Sequence, residues 1–312
     1  MKRLGFVTVL IGALVAFAVA AALGAAAPSR DAGQDARRPP KLPAKPRLPA
    51  LPAEIRSRGR FEIGVKCDTP PFGYQDTNGN HKGYDVEVAK QFARWAFGNA
   101  NRVDYTCTTT ASRIPTLLSE RVDIIISTIT WTAEREQQID FSLPYYGAVG
   151  RLLVPNQTTV GGLATWMSGK KIASTSGSIY NRWISNCFKN TDFQVIASPG
   201  AGVLAVKNRQ VDAFMYDDAF LVGVAANDRE LKMTSHRFLN VPWGIGIRKG
   251  EAQTRRWVNT AIAGMAARNM FWPIMRRTVP RRFYSTFRRN VPSPTNKLRY
   301  PRATTPENNC PR

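Results

Sequence analysis

The sequence predicts an α/β protein built as two doubly wound α/β lobes with a ligand cleft between them. Three observations carry this: short strands alternate with helices in two separate blocks; one strand is β-branched almost throughout; and 43% of the 312 residues are apolar, enough for sizeable cores. In sheets of this kind ligands sit outside the carboxyl ends of the strands, so the cleft is where function is sought.

Lys2 and Arg3 precede an apolar stretch from Gly5 to about Leu23, which is followed by small residues. Residues 1–27 therefore read as a secretory signal peptide, or as an N-terminal anchor if residues 5–27 stay uncleaved. Export to the periplasm or cell surface follows. Lipid attachment at a signal-peptide cysteine is excluded, because no cysteine precedes Cys67. Residues 28–55 read as a Pro-rich, basic, disordered linker: prolines at 43, 46, 49 and 52 repeat with the period of a polyproline II turn, giving a solvated spacer outside the core.

Phe61–Cys67 reads as the first strand. Asp85–Phe97 reads as a helix with Asp85 as its N-cap and with Val88, Ala89, Phe92, Ala93 and Ala96 at helical spacing. Val103–Thr108 is a second strand, Ser112–Glu120 a helix with Pro115 in its first turn, and Val122–Ser127 (VDIIIS) a strand buried on both faces of a parallel sheet. A second block repeats the pattern, with strands at Lys171–Ser174, Gln194–Ala197 and Val211–Tyr216 and helices at Ile179–Phe188, Gly202–Lys207 and Ala219–Ala226. Lobe 1 is assigned 56–147 plus 244–290, lobe 2 148–243, and 291–312 a basic tail. The crossings between lobes are expected near Gly147–Leu152 and Trp243–Arg248.

In an exported chain four cysteines invite pairing. Cys67 and Cys107 end strands read as neighbours in a sheet of order 2-1-3, which pairs them and leaves Cys187 for Cys310; free buried thiols are the alternative. The formal net charge of +22 is concentrated in the flanks: residues 1–60 hold 11 basic and 3 acidic side chains, residues 268–312 hold 11 and 1, and the body only 22 and 18. A nucleic-acid-binding body is not indicated, since its cations belong on the fold itself. An anionic envelope polymer or lipid suits the basic ends better.

At the strand ends, KCDTPPFGYQDTNGNHKGYDVEVAKQFA (66–93), TTTASRIPTLLSERVDIIISTITWTAEREQQIDFSLPYY (108–146), KIASTSGS (171–178) and VDAFMYDDA (211–219) resemble the bacterial extracellular solute-binding proteins, family 3, the amino-acid receptors of ABC importers with the type II periplasmic binding protein fold. Within that family the resemblance is strongest to aspartate- and glutamate-binding members. It departs at Phe92, where an aliphatic residue is usual, and in the basic extensions.

The resemblance implies that Arg135 holds the ligand's α-carboxylate and that Asp217 pairs with its α-ammonium. Chemistry agrees, because a guanidinium offers two parallel donors to a carboxylate. Thr128 and Thr130, two apart on an extended segment, are expected to point the same way. Thr175, Ser176 and Ser178 lie between a strand and a helix start, where free N–H groups and hydroxyls suit an anion. Tyr74 is expected to form an apolar wall. Arg113 stands where acidic-amino-acid binders carry arginine, and Lys66, with Asp68 beside it, ends the first strand. These imply a receptor for glutamate or aspartate that works with a membrane permease.

No cofactor or metal is implied. His81 and His236 are the only histidines, and no Ser-His-Asp set or phosphate loop appears. Two alternatives stay open: an exported enzyme similar to cyclohexadienyl dehydratases, and a ligand-sensing or surface-adhesion protein.

Overall fold

The computed structural model describes residues 45–302 and 308–311. The expected signal or anchor segment and residues 28–44 lie outside them. Among the described residues no helix is long and apolar enough to cross a membrane.

One sheet runs through the molecule, with strands ordered Asp192–Ile196, Lys171–Thr175, Ala213–Asp217, Tyr146–Pro155, Phe238–Arg248, Ile124–Thr130, Phe61–Lys66, Val103–Thr108. Its two ends are parallel β/α arrangements. In the first, Phe61–Lys66 lies between Val103–Thr108 and Ile124–Thr130, so the 2-1-3 order holds. In the second, Lys171–Thr175 lies between Asp192–Ile196 and Ala213–Asp217. The two long central strands, Tyr146–Pro155 and Phe238–Arg248, pair antiparallel with each other and join the ends. This is a two-lobed α/β fold, and every residue of Ile124–Thr130 is buried, as its β-branched composition requires.

Helix Tyr84–Phe97 covers the first lobe, ending where Gly98 (φ 73°) donates its N–H to Arg94 O at 3.0 Å. Phe92, where an aliphatic residue is usual in the resembled family, meets Trp257 edge-on, 5.4 Å between centroids, on helix Ala252–Ala267. In the second lobe Ser178 caps helix Ile179–Cys187 and Ser198 caps Pro199–Lys207, one turn earlier than the apolar spacing predicts.

Three expectations are corrected. First, the linker is not solvated to residue 55: Leu51 and Ile55 are buried, Leu48 packs beside them, and a helix begins at Ala53. The reason is the same three-residue period that marks the segment. It sets Leu48 and Leu51 on one face of a polyproline-like ribbon, and Gln253 Nε2 holds that ribbon through the Ala50 and Leu51 carbonyls at 3.2 and 3.1 Å.

Second, Asp85 is not the helix cap. Gly83 holds that position, and Asp85 is wholly buried in the first turn. Third, Thr128 is not extended. Its φ of 49° breaks the alternation, so Thr128 and Thr130 do not follow a regular strand face.

The described residues of the basic tail pack on the body. Tyr300 stacks on Trp131 (5.6 Å, 25°), donates its hydroxyl to Ser142 O at 2.6 Å, and crosses Gly244 where any Cβ would lie 2.0 Å from that hydroxyl. Further on, Asn309 O accepts Trp183 Nε1 at 2.9 Å, and Cys310 bonds Cys187. Cys67 bonds Cys107. The tail thus contacts the first lobe at Trp131 and is joined covalently to the second.

That bond closes a sequence separation of 123 residues. In the chain-entropy account a loop of that size contributes about 5 kcal/mol. The Cys187→Ser, Cys310→Ser double variant is therefore expected to melt on the order of 10 °C lower. A midpoint unchanged in calorimetry would contradict the tail's structural role.

Candidate functional site

The carboxyl ends of strands Phe61–Lys66 and Ile124–Thr130 face those of Lys171–Thr175 and Ala213–Asp217, and the predicted side chains gather there. Lys66 ends the first strand with its ammonium fully buried, 2.9 Å from Asp68 Oδ1 and 3.1 Å from Thr110 Oγ1. Burial pushes its pKa down to about 8, with Asp68 opposing the shift and Arg113 adding to it. A glycine is needed at 73, since a Cβ there would sit 2.4 Å from Lys66 O.

Arg113 opens helix Arg113–Leu118 and is almost wholly buried. Its Nε donates to Thr110 O at 3.0 Å, and its Nη1 donates to Ser127 O at 3.0 Å and to Thr128 O at 2.7 Å. The left-handed turn at Thr128 belongs to the chain that delivers these carbonyls. Nη2 keeps no hydrogen bond to the described residues, so it is the edge of the guanidinium available to a ligand.

Beneath Arg113 lies a support that sequence reasoning missed. Tyr145 accepts from Thr128 N at 3.2 Å and donates to Asp85 Oδ1 at 3.1 Å, while Asp85 Oδ2 has no partner. Burial lifts the Asp85 pKa to about 8, so the acid is largely neutral at pH 7.

From the second lobe, Asp217 ends its strand as a buried carboxylate whose Oδ1 accepts Tyr180 O–H at 2.6 Å. Burial raises its pKa to about 7, with the Tyr180 hydrogen bond opposing, Asp218 adding, and Arg113 and Arg135 opposing. Thr175 ends the adjacent strand with its Oγ1 buried and unpartnered. Ser178 Oγ accepts from Tyr180 N as a helix cap at 3.3 Å, and the backbone N–H of Ser176 donates to Ile196 O at 2.8 Å.

Several contacts cross between the lobes, among them the ion pair of Glu134 with Arg182. Arg135 Nη1 donates to Thr130 O at 2.7 Å and its Nη2 to Gly177 O at 2.8 Å in the second lobe. Thr110 Oγ1 meets Tyr216 O–H at 3.3 Å, continuing the chain from Lys66. Gly177 (φ 73°) lies so close that a Cβ would be 2.7 Å from Ala111 Cα. Outside these contacts, a cavity of about 420 Å³ opens between the lobes, lined by Arg113, Arg135, Gly177 and Ser178 among others.

The structure thus brings together Lys66, Asp68, Arg113, Thr128, Thr130, Arg135, Thr175 and Asp217. Tyr74 pairs in register with Asp68 on a short hairpin and is half-buried, which places it at the rim. Thr110, Tyr180 and Tyr216 were not anticipated. The only signal for them is adjacency, with Tyr216 directly before Asp217 and Thr110 three residues before Arg113.

Two α/β lobes on a shared sheet, with a guanidinium, an ammonium and a carboxylate buried where they meet, define a two-lobed solute-binding protein. Residues 61–277 match the bacterial extracellular solute-binding proteins, family 3, and the chain belongs to that family. It is 27% identical over 228 residues to the ABC transporter glutamine-binding protein of Bacillus subtilis (strain 168), covering 73% of this chain and 84% of the relative. To a glutamine-binding protein of Geobacillus stearothermophilus it is 30% identical over 197 residues, 63% and 75% of the two chains. Among solved structures, the L-cysteine solute receptor of Neisseria gonorrhoeae superposes with a TM-score of 0.68 at 25% identity, covering 74% of this chain and 94% of that one.

Proposed function

We propose that this protein is an extracytoplasmic receptor for an acidic amino acid, glutamate or aspartate, which it delivers to an ABC importer. Membership of an extracellular solute-binding family and relatives named for glutamine and L-cysteine support the amino-acid and transport parts. Arg135 takes the α-carboxylate and Asp217 the α-ammonium, with Thr128, Thr130 and Thr175 completing the shell. The lobes close over the ligand by hinging at the two long central strands.

One observation carries the acidic preference: two further cations, Lys66 and Arg113, are buried beside that pair. Asp68 pairs with Lys66, and burial raises the pKa values of Asp85, Asp217 and Asp218, so the carboxylates near Lys66, Arg113 and Arg135 resist ionisation and the cations are left in excess. A zwitterion adds no net charge. A side-chain carboxylate cancels the excess, whereas an amide leaves it buried and uncompensated.

A ligand that binds only the folded protein raises its melting temperature. In a screen of the common amino acids, glutamate or aspartate is expected to give the largest rise, and deletion of the gene is expected to abolish their uptake. A dominant response to a neutral or basic amino acid would reject the acidic assignment.

The shifted groups also set a pH window. Asp217 must be charged to hold an ammonium, so affinity is lost as pH falls through about 7. Lys66 must be charged to hold a carboxylate, so glutamate affinity is lost as pH rises through about 8. Each limb approaches about tenfold per pH unit, the slope of one linked proton. Calorimetry between pH 5 and 9 should give a maximum near 7 to 8 for the acidic ligand; affinity flat from pH 5 to 7 would remove Asp217 from its role.

A further inference from the structure

The stretch 252–306 contains 12 Lys and Arg and no Asp or Glu. Its core, helix Phe271–Thr278, a 3₁₀ turn at Arg281–Phe283 and helix Tyr284–Arg288, is folded and remote in the chain from every residue of the cleft. Arg276, Arg277, Arg281, Arg282, Arg288 and Arg289 are all exposed. Among the described residues of 268–300 a single ion pair forms, Arg277 to Glu87 at 3.9 Å. Six guanidinium groups on two short helices, the 3₁₀ turn between them and the residue that follows repel one another unless something anionic covers them, and the body supplies almost nothing.

Aromatic rings are set among these cations. Trp272 and Tyr284 meet edge-on at 5.2 Å, Arg288 lies 5.9 Å over Trp272, and Arg282 lies 5.0 Å over Phe283. All three rings are half-buried. Trp272, Arg288 and Arg289, with Asn269, Ser293 and Asn296, line a groove of about 580 Å³, roomy enough for a phosphate-bearing headgroup.

We propose that this arginine face is a docking surface for an anionic phospholipid bilayer. Arginine attracts the phosphates, and tryptophan and tyrosine belong at the polar–apolar boundary of a membrane, a combination that a soluble polyanion does not require. In the uncleaved chain the apolar stretch from Gly5 to Leu23 adds a second signal for attachment.

The test uses the full chain and sedimentation with vesicles of phosphatidylglycerol and phosphatidylcholine against vesicles of phosphatidylcholine alone. The apolar stretch acts on both, so the ratio of the two partition coefficients reads the charged face. That ratio is expected to be tenfold or more at 0.1 M salt and to fall towards one at 0.5 M. Arg276→Gln, Arg281→Gln, Arg288→Gln and Arg289→Gln together should reduce it at least fivefold without lowering the melting temperature, and the Arg276→Gln, Arg281→Gln double variant should do so in part. Trp272→Ala should weaken vesicle binding while sparing binding of soluble polyphosphate. Equal partition into both vesicles, a ratio unchanged in the four-arginine variant, or polyphosphate binding that vesicles do not compete for would each overturn the proposal.

Discussion

Arg135→Ala is expected to weaken every amino-acid ligand together, by about 2 to 5 kcal/mol, which is between roughly thirtyfold and several thousandfold. Two effects add. The ligand loses the donor pair for the group all amino acids share, and the closed arrangement loses the hydrogen bond from Nη2 to Gly177 O across the lobes. Arg135 lies on a short, partly exposed helix, Ala133–Gln138, so the fold should survive. Asp217→Asn tests the other pole: it keeps an acceptor for Tyr180 but removes the charge, and is expected to cost a similar amount and to flatten the acid limb of the pH profile. Calorimetry decides both, and near-normal affinity in either variant would reject that residue's role.

Arg113→Ala is expected to narrow the gap between glutamate and glutamine. The free Nη2 edge beside Lys66 meets a side-chain carboxylate more favourably than an amide, so its removal hurts the acidic ligand more. The substitution also strips donors from the carbonyls of Thr110, Ser127 and Thr128, and leaving such groups unpaired costs about 1 to 3 kcal/mol of stability. General loosening lowers both affinities alike, so the glutamate-to-glutamine ratio isolates the specificity role. A fall by one common factor would show that Arg113 only props the backbone.

Much of this architecture is legible from residue pattern alone. The run Ile124, Ile125, Ile126 can be satisfied only by a strand covered on both faces, and the neighbouring strand ends put Cys67 and Cys107 within bonding reach. What local pattern misreads depends on distant partners. Asp85 precedes an apolar periodic run, the usual mark of a cap, yet its partner Tyr145 lies 60 residues away. Thr128 sits in a β-branched stretch that implies regular alternation, but it is left-handed where the chain turns its Ser127 and Thr128 carbonyls to Arg113. The prolines of the N-terminal ribbon signal solvent exposure, while the leucines between them share a face that finds a core. In the tail the sequence shows the charge and a cysteine for Cys187, but not the meeting of Tyr300 with Trp131, on which its packing against the first lobe rests.

In the proposed receptor a ligand carboxylate neutralises the charge buried at Lys66 and Arg113. Calorimetric titration of the wild-type protein at pH 7.5 with glutamate, aspartate, glutamine and asparagine tests it most directly. Glutamate or aspartate is expected to bind at least tenfold more tightly than its own amide; an amide that binds as tightly as its acid, or more so, would contradict that role for Lys66 and Arg113.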